Sequence, residues 1–205
     1  MFEELKKKLA LKKIKKYNDI EGWLTEPEAL GLYKLAKKLP AQAIIVEIGS
    51  WKGKSTFCLA RGLKSGYVFA IDPFNGDGGL DTNSQAEYDL KKGSQDLLTN
   101  FENTMQRLGV DKKIVAKKGY SSQFHKDFNK IDLLFIDGDH SIKGCQSDFE
   151  LYAPKIKSGG YIAFHDYYKN RSDLGPTFVI KNLVNKSEDF IFYELVDSLW
   201  IGKKK

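Results

Sequence analysis

VEIGSWKGKST, residues 46–56, joins an apolar run to a glycine turn and then to the start of a helix. Ile44 to Ile48 is rich in β-branched residues and reads as a buried strand. A phosphate cradle of the P-loop kind needs four residues between its first glycine and the Gly-Lys-Ser/Thr. Here Gly49 and Gly53 are separated by three, Ser50, Trp51 and Lys52, and the position one earlier is Ile48, inside the strand. Successive backbone N–H groups must curl around the anion, so one missing residue matters. The run IDLLFIDGD, residues 131–139, looks like the strand-plus-Asp that accompanies such loops, but any buried parallel strand ending in an acid gives it. The G-x-G-x-x-G dinucleotide fingerprint is also absent. What remains is Glu47-x-Gly49-x-x-x-Gly53-x-Ser55.

Outward from this turn, short β-rich runs alternate with longer amphipathic ones. Residues 28–39 read as a helix ended by Pro40. Strands are expected at 44–48, 67–71, 113–116, 131–136 and 161–165. Helices are expected at 54–63, 85–108 (broken near Gly93), 122–128, 142–156 and 177–185. Two last strands, 190–196 and 198–201, suggest an antiparallel hairpin around Asp197. The pattern predicts an α/β fold: a doubly wound, Rossmann-like sheet of about seven strands, mostly parallel, with helices on both faces. Residues 1–40 form an N-terminal helical segment and 41–205 the main domain.

Bulk properties narrow the function. The sequence is 41% apolar and 13% aromatic, enough for a sizeable core, and lacks a long uncharged apolar stretch. Its N-terminus has no apolar signal core, and its two cysteines make no disulfide framework, so the cytoplasm is the expected location. The net charge of +6 comes from the tails: seven lysines lie in residues 1–17 and three more close the chain. Between the tails acids slightly outnumber bases, which argues against nucleic acid as a partner. Leu5, Leu9 and Tyr17 fall near one face of the basic segment. That face suits packing on the body or on a second copy of the chain better than docking on a membrane.

In sheets of this kind ligands bind beyond the carboxyl ends of the strands. Those ends carry Gly49, Asp72, Gly119-Tyr120-Ser121, Asp137-Gly138-Asp139-His140 and His165-Asp166. Asp72 stands about twenty residues past the turn, where a carboxylate can accept both hydroxyls of a ribose. A cluster of carboxylates with imidazole is a hard divalent site suited to Mg²⁺ or Mn²⁺. Such an ion lowers the pKa of a substrate hydroxyl, and a nearby Asp or His removes the proton.

Four stretches in order, VEIGSWKGKST (46–56), VFAIDPFNGD (68–77), IDLLFIDGDHSIKGCQSDFELYAPKIKSGGYIAFHDYY (131–168) and LGPTFVI (174–180), resemble the class I S-adenosylmethionine-dependent methyltransferases. The resemblance is to the macrocin-type sugar and small-molecule O-methyltransferases and, more distantly, to catechol and caffeoyl-CoA O-methyltransferases. It covers about residues 20–185 and implies methyl transfer from S-adenosylmethionine to a hydroxyl of a small molecule or sugar. By resemblance, Glu47, Gly49 and Ser50 line the methionine side with Gly53 and Ser55 close by. Asp72 holds the ribose and Gly119-Tyr120-Ser121 faces the adenine, with Asp137 at the cofactor's edge. The loop from Asn75 to Gln85 resembles the family's lid.

The resemblance also implies that Asp137 and Asp166 bind the metal. His165, a third candidate donor, stands where relatives carry a second acid. Asp139 or His140 is the base. Tyr167 replaces the Asn that follows the strand-five Asp in the catechol enzymes, so that ligand set is not reproduced. His125 reads as structural, and Cys58 and Cys145 as core. A nucleotide-dependent phosphotransferase and a non-catalytic cofactor-binding protein are the competing readings.

Overall fold

The computed structural model describes residues 2–77 and 85–205. In chain order the elements are α1 (Phe2–Ile14), α2 (Glu26–Lys38), β1 (Ala43–Ile48), α3 (Lys54–Gly62), β2 (Gly66–Asp72), α4 (Gln85–Lys92), α5 (Leu97–Arg107), β3 (Ile114–Lys118) and α6 (Ser121–Phe124). They continue with β4 (Ile131–Ile136), α7 (Ile142–Tyr152), β5 (Ile156–Phe164), α8 (Gly175–Val179), β6 (Phe190–Val196) and β7 (Leu199–Lys204). One sheet carries all seven strands in the order β3-β2-β1-β4-β5-β7-β6. The first five are mutually parallel, and β7 runs antiparallel between β5 and β6. This is the Rossmann-like arrangement that the alternating pattern predicts.

Successive strand residues point to opposite faces, so each central strand feeds two cores. Ile45 and Leu133 pack on the face covered by α2, α3 and α5, among Leu32, Leu59 and Phe101. Val46 and Leu134 pack on the other face with Cys145, Tyr152 and Val179. Ile14, Tyr17 and Leu32 belong to the first core, so the N-terminal helical segment shares it with the sheet. On α1, however, Leu5 and Leu9 remain 54% exposed, and only Tyr17 of the expected face is buried.

The boundary between α7 and β5 differs from expectation. The helix expected over 142–156 ends at Tyr152, because Pro154 supplies no N–H; a 3₁₀ turn follows, and β5 begins at Ile156 rather than 161. As expected, the long segment 85–108 divides into α4 and α5 around Gly93, whose φ is +76°. Of the lid segment, 78–84 lie outside the described residues. Among the described ones, Gln85 Nε2 donates to the Gly76 carbonyl at 2.9 Å.

Candidate active site

Hydrogen bonds that continue the ladder beyond the strands hold the carboxyl ends in line. Gly49 N donates to Ile71 O (2.9 Å), Asp137 N to Ile48 O (2.8 Å), and His165 N to Ile136 O (3.1 Å). A cavity of about 1120 Å³ opens across these ends. Gly49, Ser50, Ser55, Asp72, Gly119, Tyr120, Ser121, Asp137, Asp139, His140, His165 and Asp166 all reach its wall. Glu47 and Gly53 do not.

Close approach explains the glycines. Gly49 has φ +85°, and a Cβ there would stand 2.0 Å from the Asp137 carbonyl oxygen. Strands β1 and β4 therefore meet at a point that admits no side chain. Gly53 has φ +90° and faces away from the cavity, where a Cβ would collide with Met105 and Phe101 of α5. It shapes the turn rather than touching a ligand there.

Glu47 is fully buried behind the turn. Its Oε2 accepts from Ser50 Oγ at 3.1 Å and from the Thr56 hydroxyl. Burial pushes its carboxyl up to about 7, against the hydroxyls that hydrogen-bond to it. Asp72 grips the same turn from the other side. Its Oδ2 accepts from the backbone N–H of Ser50 (2.9 Å) and Trp51 (2.8 Å), and its Oδ1 from that of Phe74 (2.6 Å). A carboxylate has about four lone-pair sites, so with these bonds intact about one is left for a further donor. Trp51 is held at φ +47°, an uncommon backbone for a bulky residue and one that often marks a functional turn.

Lys54, the residue that gives the turn its P-loop look, donates from Nζ to the Gly22 carbonyl at 3.0 Å and lies over the Tyr17 ring. It ties the turn to the N-terminal segment.

A family model described as a methyltransferase domain matches residues 46–167, more than half of the chain. The chain belongs to that family. It carries a methyltransferase domain on a Rossmann-like sheet. Among curated proteins it is 32% identical over 128 residues to an uncharacterized protein, R132, of Acanthamoeba polyphaga mimivirus; the match takes in 62% of this chain and 52% of that one. The chain thus matches about half the length of this curated relative. An O-methyltransferase from Bacillus cereus, solved with S-adenosylhomocysteine, superposes with a TM-score of 0.67 at 18% identity, covering 97% of this chain and 90% of that one. The O-methyltransferase TomG of Streptomyces achromogenes, involved in tomaymycin synthesis and solved with S-adenosylmethionine, gives 0.66 at 14% identity, covering 97% and 89%. At these identities the structural likenesses establish the fold.

At the β4 and β5 ends of the methyltransferase cavity, side-chain donors of Asp137, His140 and Asp166 all lie within 4.8 Å of one another. His140 Nε2 is 3.1 Å from Asp166 Oδ2 and 3.6 Å from Asp137 Oδ1. Its own backbone is fixed, since Gly175 N donates to His140 O at 2.8 Å. Burial works against charge on this ring, but hydrogen bonds and charge from Asp137 and Asp166 prevail, and its pKa is pushed up to about 10. Asp166 is likewise opposed by burial, yet the two imidazoles hold it well below the usual carboxylate range. Its φ is +57°.

His140 thus joins the two acids at the cavity wall, about as close to Asp166 as His165 is. His165 lies behind the two acids. Its Nδ1 is 3.2 Å from Asp137 Oδ1 and 3.3 Å from Asp166 Oδ2, and its Nε2 is 3.2 Å from Glu28 Oε2. Asp139 points elsewhere. Its Oδ1 accepts from Ser141 N at 2.8 Å, and its carboxylate crowds Gly144, where a Cβ would stand 2.4 Å from Asp139 Cγ. It therefore sits at the N-terminus of α7, beside the Ser141 cap.

Glu28 and Asp148 escaped the sequence reading. Glu28 is 2% exposed; its Oε1 accepts from Ser198 N and Oγ, and its Oε2 from Thr25 N. The signal for it was the capping box Thr25-x-x-Glu28. The signal for Asp148 was an acid on the buried stripe Cys145, Asp148, Tyr152 of α7. A third unread feature is aromatic. Trp23, Trp51 and Tyr88 come from three separate segments and meet on the cavity wall with ring centroids 5.2–5.8 Å apart.

Proposed function

We propose that this methyltransferase acts on a hydroxyl group of a small molecule or sugar, assisted by a divalent cation. The observation that carries the proposal is the Asp137–His140–Asp166 cluster on the wall of the cofactor cavity. Asp137 and Asp166 are hard oxygen donors that would hold a Mg²⁺ or Mn²⁺ ion, with the His140 ring beside them to act as base. When bound there, the cation supplies positive charge that lowers the pKa of an acceptor hydroxyl.

The chain's own residues do the rest. Asp72, Ser50 and Ser55 seat the cofactor, and the loop at Gly119 to Ser121 encloses its base. The Trp23, Trp51 and Tyr88 rings offer an apolar wall for the acceptor. The acceptor oxygen attacks the sulfonium methyl carbon as the carbon–sulfur bond breaks, leaving S-adenosylhomocysteine. Alignment is the main source of rate in such a displacement. His140, rather than Asp139, takes the hydroxyl proton at Nε2. The ring can accept it only when the negative field of Asp137 and Asp166 is neutralised.

The test is a methyl-transfer screen of hydroxylated small molecules with added Mg²⁺ or Mn²⁺ and with EDTA, alongside calorimetric titrations with S-adenosylhomocysteine and ATP. Turnover that needs the cation, with binding of S-adenosylhomocysteine and not ATP, is the expected result. Turnover unaffected by EDTA rules out the metal, and transfer to nitrogen or carbon acceptors alone rules out the hydroxyl.

A further inference from the structure

The cavity is also walled by the β3 loop and by α7. There Asp148 is 4% exposed yet reaches the cavity wall. Its Oδ1 accepts from the Ser121 hydroxyl. Ser121 is in turn pinned by the Tyr152 hydroxyl, which donates to its carbonyl at 2.6 Å. Oδ2 has no hydrogen-bond partner among the described residues. It lies beside Gly138 at the β4 end, where an added Cβ would come within 3.6 Å of it. The absence of a side chain at 138 leaves this oxygen open. A carboxylate this deep, with one oxygen satisfied and the other open to the cavity, has the form of a ligand acceptor.

We propose that Asp148 selects the cofactor's base, its Oδ2 accepting a hydrogen bond from the 6-amino group of adenine. The inference rests on the methyltransferase reading and adds a residue to it. Strand order supplies the placement. Asp72 ends β2, and β3 is the next strand outward, so a base attached to a ribose at Asp72 lies against the β3 loop where Ser121 holds Asp148. Burial, with the nearby charge of Asp139 adding to it, pushes the Asp148 carboxyl up to about 7. A donor brought to Oδ2 supplies the partner that the protein does not.

The experiment is calorimetric binding of S-adenosylhomocysteine and of S-inosylhomocysteine, in which a carbonyl replaces the 6-amino group. Wild type should prefer the amino ligand by about tenfold or more. Asp148→Asn keeps the shape and the Ser121 contact but turns an N–H toward the base, so it should shift the preference toward the 6-oxo ligand by a similar factor. Asp148→Ala should bind both about equally. A preference unchanged in Asp148→Asn overturns the assignment, as does a wild type that binds both ligands alike. A wild type that binds neither overturns the methyltransferase reading itself.

Discussion

His165 Nε2 lies 3.2 Å from Glu28 Oε2, in a buried contact that ties the first turn of α2 to the end of β5. Through the other nitrogen of the same ring, Glu28 acts on both acids of the candidate metal cluster. The N-terminal segment is therefore part of how the site is held together.

Removing that carboxylate should be costly. Glu28→Ala leaves the Ser198 donors and the His165 ring without an acceptor in a buried setting, and should destabilise the fold by about 3–5 kcal/mol in urea titrations. A pH dependence follows. Burial opposes the charged form, but the bonds from His165, Thr25 and Ser198 lower the Glu28 pKa from 4.5 to about 2. Its stabilisation is complete above 4.5 and is lost as pH falls toward 2. Glu28→Gln should flatten that part of the stability profile. An unchanged profile would show that other carboxylates govern it.

Asp72 and Asp166 should separate cleanly by role. Asp72→Ala removes the acceptor of three backbone N–H groups that shape the turn, and should weaken S-adenosylhomocysteine binding by about tenfold or more. Asp166→Ala should spare that binding and abolish the turnover that EDTA also abolishes. Calorimetry and assay of the two variants side by side decide the matter; equal loss of cofactor binding would contradict the division.

Gly49 and Gly109 both have positive φ, but only Gly49 is crowded. Gly109 has φ +68° and nothing within 4 Å of an added Cβ. Gly109→Ala should therefore show the backbone cost alone, about 1–2 kcal/mol. Gly49→Ala adds collision with the Asp137 carbonyl and should cost about 3 kcal/mol or more. Thermal unfolding of the two variants compares them directly.

The imidazole of His140 should stay protonated through neutral pH in cation-free protein, since its pKa is raised to about 10. The stabilisation from its ion pairs is fully present below its ordinary 6.5 and fades as pH rises toward 10. Proton NMR of the histidine ring signals should show no His140 titration between about pH 6 and 8. Saturating Mg²⁺ should bring the transition down into that range. A titration already near 6.5 without cation would mean that the carboxylates do not act on the ring as described.

The chain order of strands and helices was legible because it rests on local rules. Periodicity placed Ile44–Ile48 in a strand, Gly49 and Gly53 marked a turn, and Pro40 marked a helix end. The acids at strand ends were legible by the same logic, since the parallel fold brings the carboxyl ends to one rim. Less was visible where a local pattern had two outcomes. Asp139 and His140 are neighbours in sequence, and only the start of α7 turns one toward its helix and the other toward Asp166.

By itself, then, the sequence determined the α/β class, the glycine turn and the rim that carries Asp72, Asp137 and Asp166. The tertiary structure alone decided that Glu28 stands behind His165, 137 positions away, and that Asp148 meets Ser121 across 27. The physical reason is burial. A carboxylate inside the protein must find donors, and which donors reach it depends on how helices pack on the sheet rather than on any spacing along the chain.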